Sequence, residues 1–131
     1  MDSQLAQAMS GAPGGLAPIP PEVVPGTHVI AVPPALAAML FTREARSDAP
    51  PGCLAIDGRD PPPATLAALR EAGLAAAPAS ACPDGATVLE VSHWRTDGSG
   101  RGTVELRHGE QPTRTVPVRR DRTLWHLESG T

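Results

Sequence analysis

Residues 87–108 read TVLEVSHWRTDGSGRGTVELRH, and this stretch decides the fold. Apolar and polar residues alternate on both sides of Asp97-Gly98-Ser99-Gly100. A period of two is the mark of a strand with one buried face. The Gly-rich centre is a turn, because Gly takes positive φ without a Cβ clash. Pairing Thr96 with Arg101 sets His93 against Val104 and Val91 against Leu106. Leu89, Val91, Val104 and Leu106 then share one face. A slip of one residue mixes that face with Glu90 and Ser92, so the pattern selects its own register.

The alternation continues downstream. Val116 and Val118 mark a third strand after the loop 109–113, and Leu124–Leu127 a fourth after the tight Arg120-Asp121 connection. A four-stranded antiparallel meander is predicted.

Upstream the period lengthens. Pro33-Pro34 suits the first turn of a helix, with Met39, Leu36 and Leu40 on one side, fading near Ser47. Cys53–Asp57 reads as a short strand. Asp60 and Pro61 then supply an N-cap and a first helical residue, Leu66 and Leu69 an apolar face, and Gly73 a stop, predicting a helix over Pro61–Ala72. Residues 74–85 read as extended, with room for one short strand. The fold expected is α+β: two helices and a short strand, then the meander, with the helices packed on one sheet face. It spans 27–131 as a single domain. Residues 1–26, interrupted by Pro13, Gly14, Gly15, Pro18, Pro20 and Pro21, read as a disordered or extended tail.

The chain has 131 residues, 11 basic and 14 acidic, for a net charge of −3. Lys, Asn and Tyr are absent, which fits codon bias in a GC-rich genome. Residues 1–85 carry −4 and residues 86–131 carry +1, so no basic stripe marks a nucleic-acid partner. Aromatics for base stacking are limited to Phe41, Trp94 and Trp125. No apolar run reaches the 18 or so residues of a membrane span. The first basic residue is Arg43, so no standard signal peptide is expected.

Catalytic signatures are missing. There is no Gly-x-Ser-x-Gly, no P-loop and no dinucleotide fingerprint, and no cofactor is implied. Cys53 and Cys82 lie 29 apart with no His beside either, which disfavours zinc. They form either a disulfide in an exported protein or two separate thiols in a cytoplasmic one. His93 and His108 fall on the core face of neighbouring strands and could line a pocket; no metal is expected there. Asp57 and Asp60 bracket a Gly-Arg turn and are assigned to the strand end and the helix cap. Trp94 falls on the polar alternate with Glu90 and Ser92, a candidate contact residue, whereas Trp125 reads as core.

The run Ile56-Asp57-Gly58-Arg59-Asp60-Pro61, then Leu66-Ala67-Ala68-Leu69, then Ala79-Ser80-Ala81-Cys82, then a meander closing on Arg120-Asp121 and Trp125, resembles small bacterial proteins, often exported, of the broad cystatin-like or NTF2-like α+β class. The resemblance covers residues 30–131. It implies a fold and export, and no activity. The leading expectation is a non-enzymatic binding module with a protein partner or self-association. The alternatives are a small-molecule pocket protein or minor enzyme with its site by His93 and His108, and an accessory subunit of a larger assembly.

Overall fold

The computed structural model describes residues 27–128; the tail expected over 1–26, like residues 129–131, lies outside them. In chain order the elements are β1 (His28–Ile30), α1 (Pro34–Glu44), β2 (Cys53–Ile56), α2 (Pro63–Glu71), β3 (Ala77–Pro78), a 3-10 turn (Ala79–Ala81), β4 (Val88–Thr96), β5 (Arg101–His108), β6 (Arg114–Asp121) and β7 (Leu124–Leu127). The fold is α+β, and β4 to β7 form the meander. The sheet as a whole is larger than expected and is mixed. Its order is β3-β2-β4-β5-β6-β7, with β1 also paired to β4. β2 runs parallel to both β3 and β4. A parallel neighbour needs a crossover connection, and α2 with the segment behind it supplies one.

β1 and β2 share one edge of β4. β2 pairs with Val88–Val91, while β1 pairs antiparallel with Trp94–Thr96. Asp57 stitches the two together. It comes directly after β2, and its Oδ2 accepts the Val32 backbone N–H at 2.9 Å, two residues beyond β1. Ile56 and Arg59 exchange two backbone hydrogen bonds around Asp57-Gly58, both at positive φ (54° and 76°). That is the backbone of the tight hairpin turn that Asp-Gly favours.

The helices cover one face. Leu36, Leu40 and Phe41 of α1 and Leu66 and Leu69 of α2 pack on Leu54, Leu89, Val91, Val104, Leu106 and Val118. α1 begins on prolines with φ already set, and the Leu36 and Ala37 amides donate to the Pro33 carbonyl. It ends at Glu44, before the expected Ser47, in successive turns. α2 begins at Pro63 rather than Pro61, and Asp60 does not cap it. Three prolines come after Asp60, and a residue before proline is driven to extended backbone. Its carboxylate turns instead to Ser80, accepting both the backbone N–H (3.0 Å) and the hydroxyl. Gly73 at φ 87° ends α2 as expected, with Gly73 N–H donating to Arg70 and Leu74 N–H to Leu69. Those two bonds make a Schellman cap.

Cys53, fully buried in β2, and Cys82, just after the 3-10 turn, lie at disulfide distance with their Cα atoms 5.8 Å apart. With the Asp60–Ser80 contacts they strap the segment between α2 and β4 to the sheet.

The meander register is as expected for Val91↔Leu106, and the same register runs through Leu89↔His108 and Ser92↔Glu105. It then shifts by one, to Arg95↔Thr103 and Thr96↔Gly102, so the expected Thr96–Arg101 and His93–Val104 pairings are replaced. The cause is a β-bulge at His93 and Trp94. His93 adopts φ 56°, and the extra residue reverses the facing of the rest of β4. Trp94 therefore turns into the core, 3% exposed, and meets Trp125 edge to face at 5.3 Å. A Cβ on Gly102 would lie 2.1 Å from the Arg95 carbonyl oxygen and 3.0 Å from the Trp94 indole.

Two variants test these contacts. Gly102→Ala lowers the urea unfolding free energy by about 1–3 kcal/mol, the usual cost of overpacking, with the m-value unchanged. The Ser80 hydroxyl and then its amide hold the Asp60 carboxyl below its ordinary value of 3.8. Its contribution to stability is thus present above that value and is lost as pH falls through the folded one. Asp60→Asn is expected to lower the melting midpoint at about pH 6 and to converge with the wild type as pH falls through the folded value, below 3.8.

Candidate functional site

The face of the sheet away from the helices is polar, and the bulge shapes it. Glu90 and Ser92 point outward on the regular alternate of β4. His93, the bulged residue, joins them rather than facing the core. Across β5, Glu105 lies opposite Ser92 and Arg107 opposite Glu90. With Asp57 these side chains line a concavity of about 450 Å³. Val29, half exposed, supplies an apolar rim.

The hydrogen bonds show what each group is free to do. Glu90 Oε2 accepts the Gly58 N–H at 2.8 Å, tying β4 to the Asp57-Gly58 turn. His93 Nδ1 lies 3.1 Å from Ser92 Oγ and 3.3 Å from Glu105 Oε1. A serine–histidine–carboxylate relay needs the hydroxyl and the acid on opposite ring nitrogens. Here both fall on Nδ1, so the ring orients on its neighbours and cannot pass a proton from one to the other. Nε2 carries neither contact. Among the described residues no group of three or more His, Cys, Asp or Glu side chains is arranged to hold a metal ion.

The structure separates the expected pocket pair. His108 lies on the helix-covered face, nearly buried, with Nδ1 3.4 Å from Glu44 Oε1. Arg114 meets the other oxygen of Glu44 at 3.0 Å. This group braces the end of α1 against β5 and β6. The expectation that His93 and His108 line one pocket is therefore corrected: the bulge sends His93 to the opposite face. The same register shift corrects the reading of Trp94 as a surface contact residue, since it is core. Asp57 and Asp60 form no acid–base pair, each being committed to backbone N–H groups of another segment. Cys53 and Cys82 sit together, away from this concavity.

Sequence reasoning passed over Glu90, Ser92, Glu105 and Arg107 as a site, although it put Glu90 and Ser92 on the polar alternate. Their signal was the polar alternate of two adjacent strands, which by itself marks any solvated sheet face. The signal for the bulge was finer: Val91 and Trp94, both suited to a core, stand three apart in a strand, and Gly102 lies across from them.

Comparison with protein-family models, with curated proteins and with solved structures finds no match to this chain. No described helix is long and apolar enough to cross a membrane.

His93 holds a left-handed backbone that costs a non-glycine residue about 1–2 kcal/mol, and its side-chain contacts are exposed ones worth little. His93→Gly is therefore expected to leave the unfolding free energy within about 0.5 kcal/mol of wild type or to raise it. Chemical denaturation measures this; a clear loss of stability assigns the imidazole a structural role instead.

Proposed function

We propose that this domain is a non-enzymatic binding module that holds a protein partner on the open face of its sheet. The observation that carries the reading is the concavity centred on His93. There Glu90, Ser92, Glu105 and Arg107 present donors and acceptors beside the exposed Val29, while the one serine–histidine contact lacks relay geometry. Mixed polar groups beside an apolar rim suit a protein surface, where aromatic and Arg contacts and a wet polar border share the interface. The small-molecule alternative loses its premise, since His93 and His108 are on different faces.

The Cys53–Cys82 pair supports a place in an oxidising compartment. Closing a loop of that length stabilises a small domain by roughly 3–4 kcal/mol on chain-entropy arithmetic. The resemblance to exported bacterial proteins of the cystatin-like or NTF2-like class belongs to the same proposal, and the layering of helices on one sheet face supports it.

The test is comparative capture. Immobilised wild-type domain is expected to retain a protein from extracts of its own host that a Val29→Glu/Arg107→Glu variant releases. Both changes are on exposed or half-exposed side chains, so the melting midpoint should stay within a few degrees, as surface substitutions usually leave it. A Glu71→Arg variant, altered at an exposed position at the end of α2, is expected to retain the same protein. Undiminished retention by the open-face variant overturns the assignment.

A further inference from the structure

The β7 edge carries a second surface, of different chemistry and independent of the open-face reading. β7 is the last strand in the sheet order. The backbone alternation shows which of its groups face outward. Glu128 N–H donates to the Pro117 carbonyl at 2.9 Å, so Glu128 points at β6. In an antiparallel pair the pointing alternates residue by residue. His126 and Leu124 therefore also bond toward β6, whereas the N–H and C=O groups of Trp125 and Leu127 face the open edge. Such a row is a template for another strand.

This edge borders a groove of about 460 Å³ whose other wall is the end of α1. Met39, Trp125 and Leu127 form its apolar lining, and Arg43 and Arg46 stand over it. The two arginines are three residues apart, so they share one side of the helix end, where like charges repel. Neither forms an ion pair among the described residues. Glu44, between them in sequence, is taken by His108 and Arg114. Glu128, just past β7, is engaged with Arg101 and Arg119 at 3.8 and 3.7 Å. Among the described residues no carboxylate lines the groove. A helix C-terminus favours a nearby cation, which accounts for Arg43 as well as any local role can. It does not account for a second cation lining an apolar groove at an edge that no described strand pairs.

We propose that β7 and the end of α1 form a docking groove for an extended acidic segment of another protein. The segment adds a strand to β7 through the outward groups of Trp125 and Leu127. The alternate of its side chains that faces the groove carries both chemistries: an apolar residue rests on Met39, Trp125 and Leu127, and carboxylates two residues to either side of it pair with Arg43 and Arg46. Main-chain bonds supply affinity in this mode, and the side-chain contacts select the sequence.

The probes are the capped pentapeptide Glu-Thr-Val-Thr-Glu, whose glutamates and valine share one strand face, and its counterpart with glutamine for glutamate, titrated into the full chain and followed by NMR and amide exchange. The glutamate peptide is expected to shift the Trp125 and Leu127 amides saturably and to slow their exchange at least tenfold. The glutamine peptide is expected to bind at least fivefold more weakly, and Arg43→Gln/Arg46→Gln to erase that difference. Leu127→Pro, which removes an outward N–H, is expected to abolish binding by both peptides. The indole signal of Trp94 and the ring signal of His108 report whether that variant remains folded; the exposed arginine pair gives the same test without touching the backbone. Equal binding of the two peptides overturns the charge selection. Shifts at the arginines with no slowed exchange in β7 overturn strand addition. No saturable shift, or shifts centred on His93, overturns the groove.

Discussion

The β-bulge at His93 and Trp94 is the constraint on which the rest of this structure depends. It puts a histidine in the left-handed region, at a cost of about 1–2 kcal/mol. In return it turns the Trp94 indole inward. Burying a Trp removes roughly 150–250 Å² from water, so at about 25 cal/mol/Å² the gain approaches 4 kcal/mol or more. The edge-to-face contact with Trp125 adds about 0.5–1.5 kcal/mol. The balance favours the irregular strand. A regular β4 would expose one of the two aromatics of the meander and bury an imidazole in its place.

The same irregularity organises the edge of β4. Below it the strand takes β2 as a parallel neighbour; beyond it, β1 as an antiparallel one. Two short strands with opposite directions thus share one edge. They are joined not by a continuous ladder but by the Asp57 carboxylate reaching Val32. Glu90 secures the turn after β2 from the other side, through Gly58. Carboxylates here take the part that backbone pairing takes elsewhere in the sheet. That commitment is why the acids of this region are poor candidates for proton transfer, even though several lie close together.

The parts of the fold set by local pattern were legible in the sequence. The meander is written in the alternation from Leu89 to Leu127, and between β4 and β5 the register is the expected one up to Ser92. The end of α2 at Gly73 was equally clear, because only a residue tolerant of positive φ ends a helix that way. The features that depend on distant partners were not legible. β1 is three residues long, mostly exposed, and exists because β4 has an edge to receive it. The parallel direction of β2 is fixed by the path of the chain through α2, which no short window contains. Asp60 looks like a helix cap because its type is right; the three prolines after it place it too far from the helix, and Ser80, twenty residues on, takes it. A regular alternation assigns Trp94 and His93 to each other's faces for a single reason, the extra residue that the bulge inserts after Ser92.

That exchange matters most for the site. With a regular strand, His93 would have shared the helix-covered face with His108, and two imidazoles near one rim would have suggested a pocket. The bulge instead divides the roles. His108 goes to a nearly buried brace with Glu44 and Arg114, where it holds α1 against the sheet. His93 goes to an open polar face, where its Nδ1 is steadied by Ser92 and Glu105. The imidazole is thus held through one nitrogen, with the other turned to neither neighbour. The strained residue, the oriented ring and the exposed Val29 thus meet on the face the helices leave uncovered.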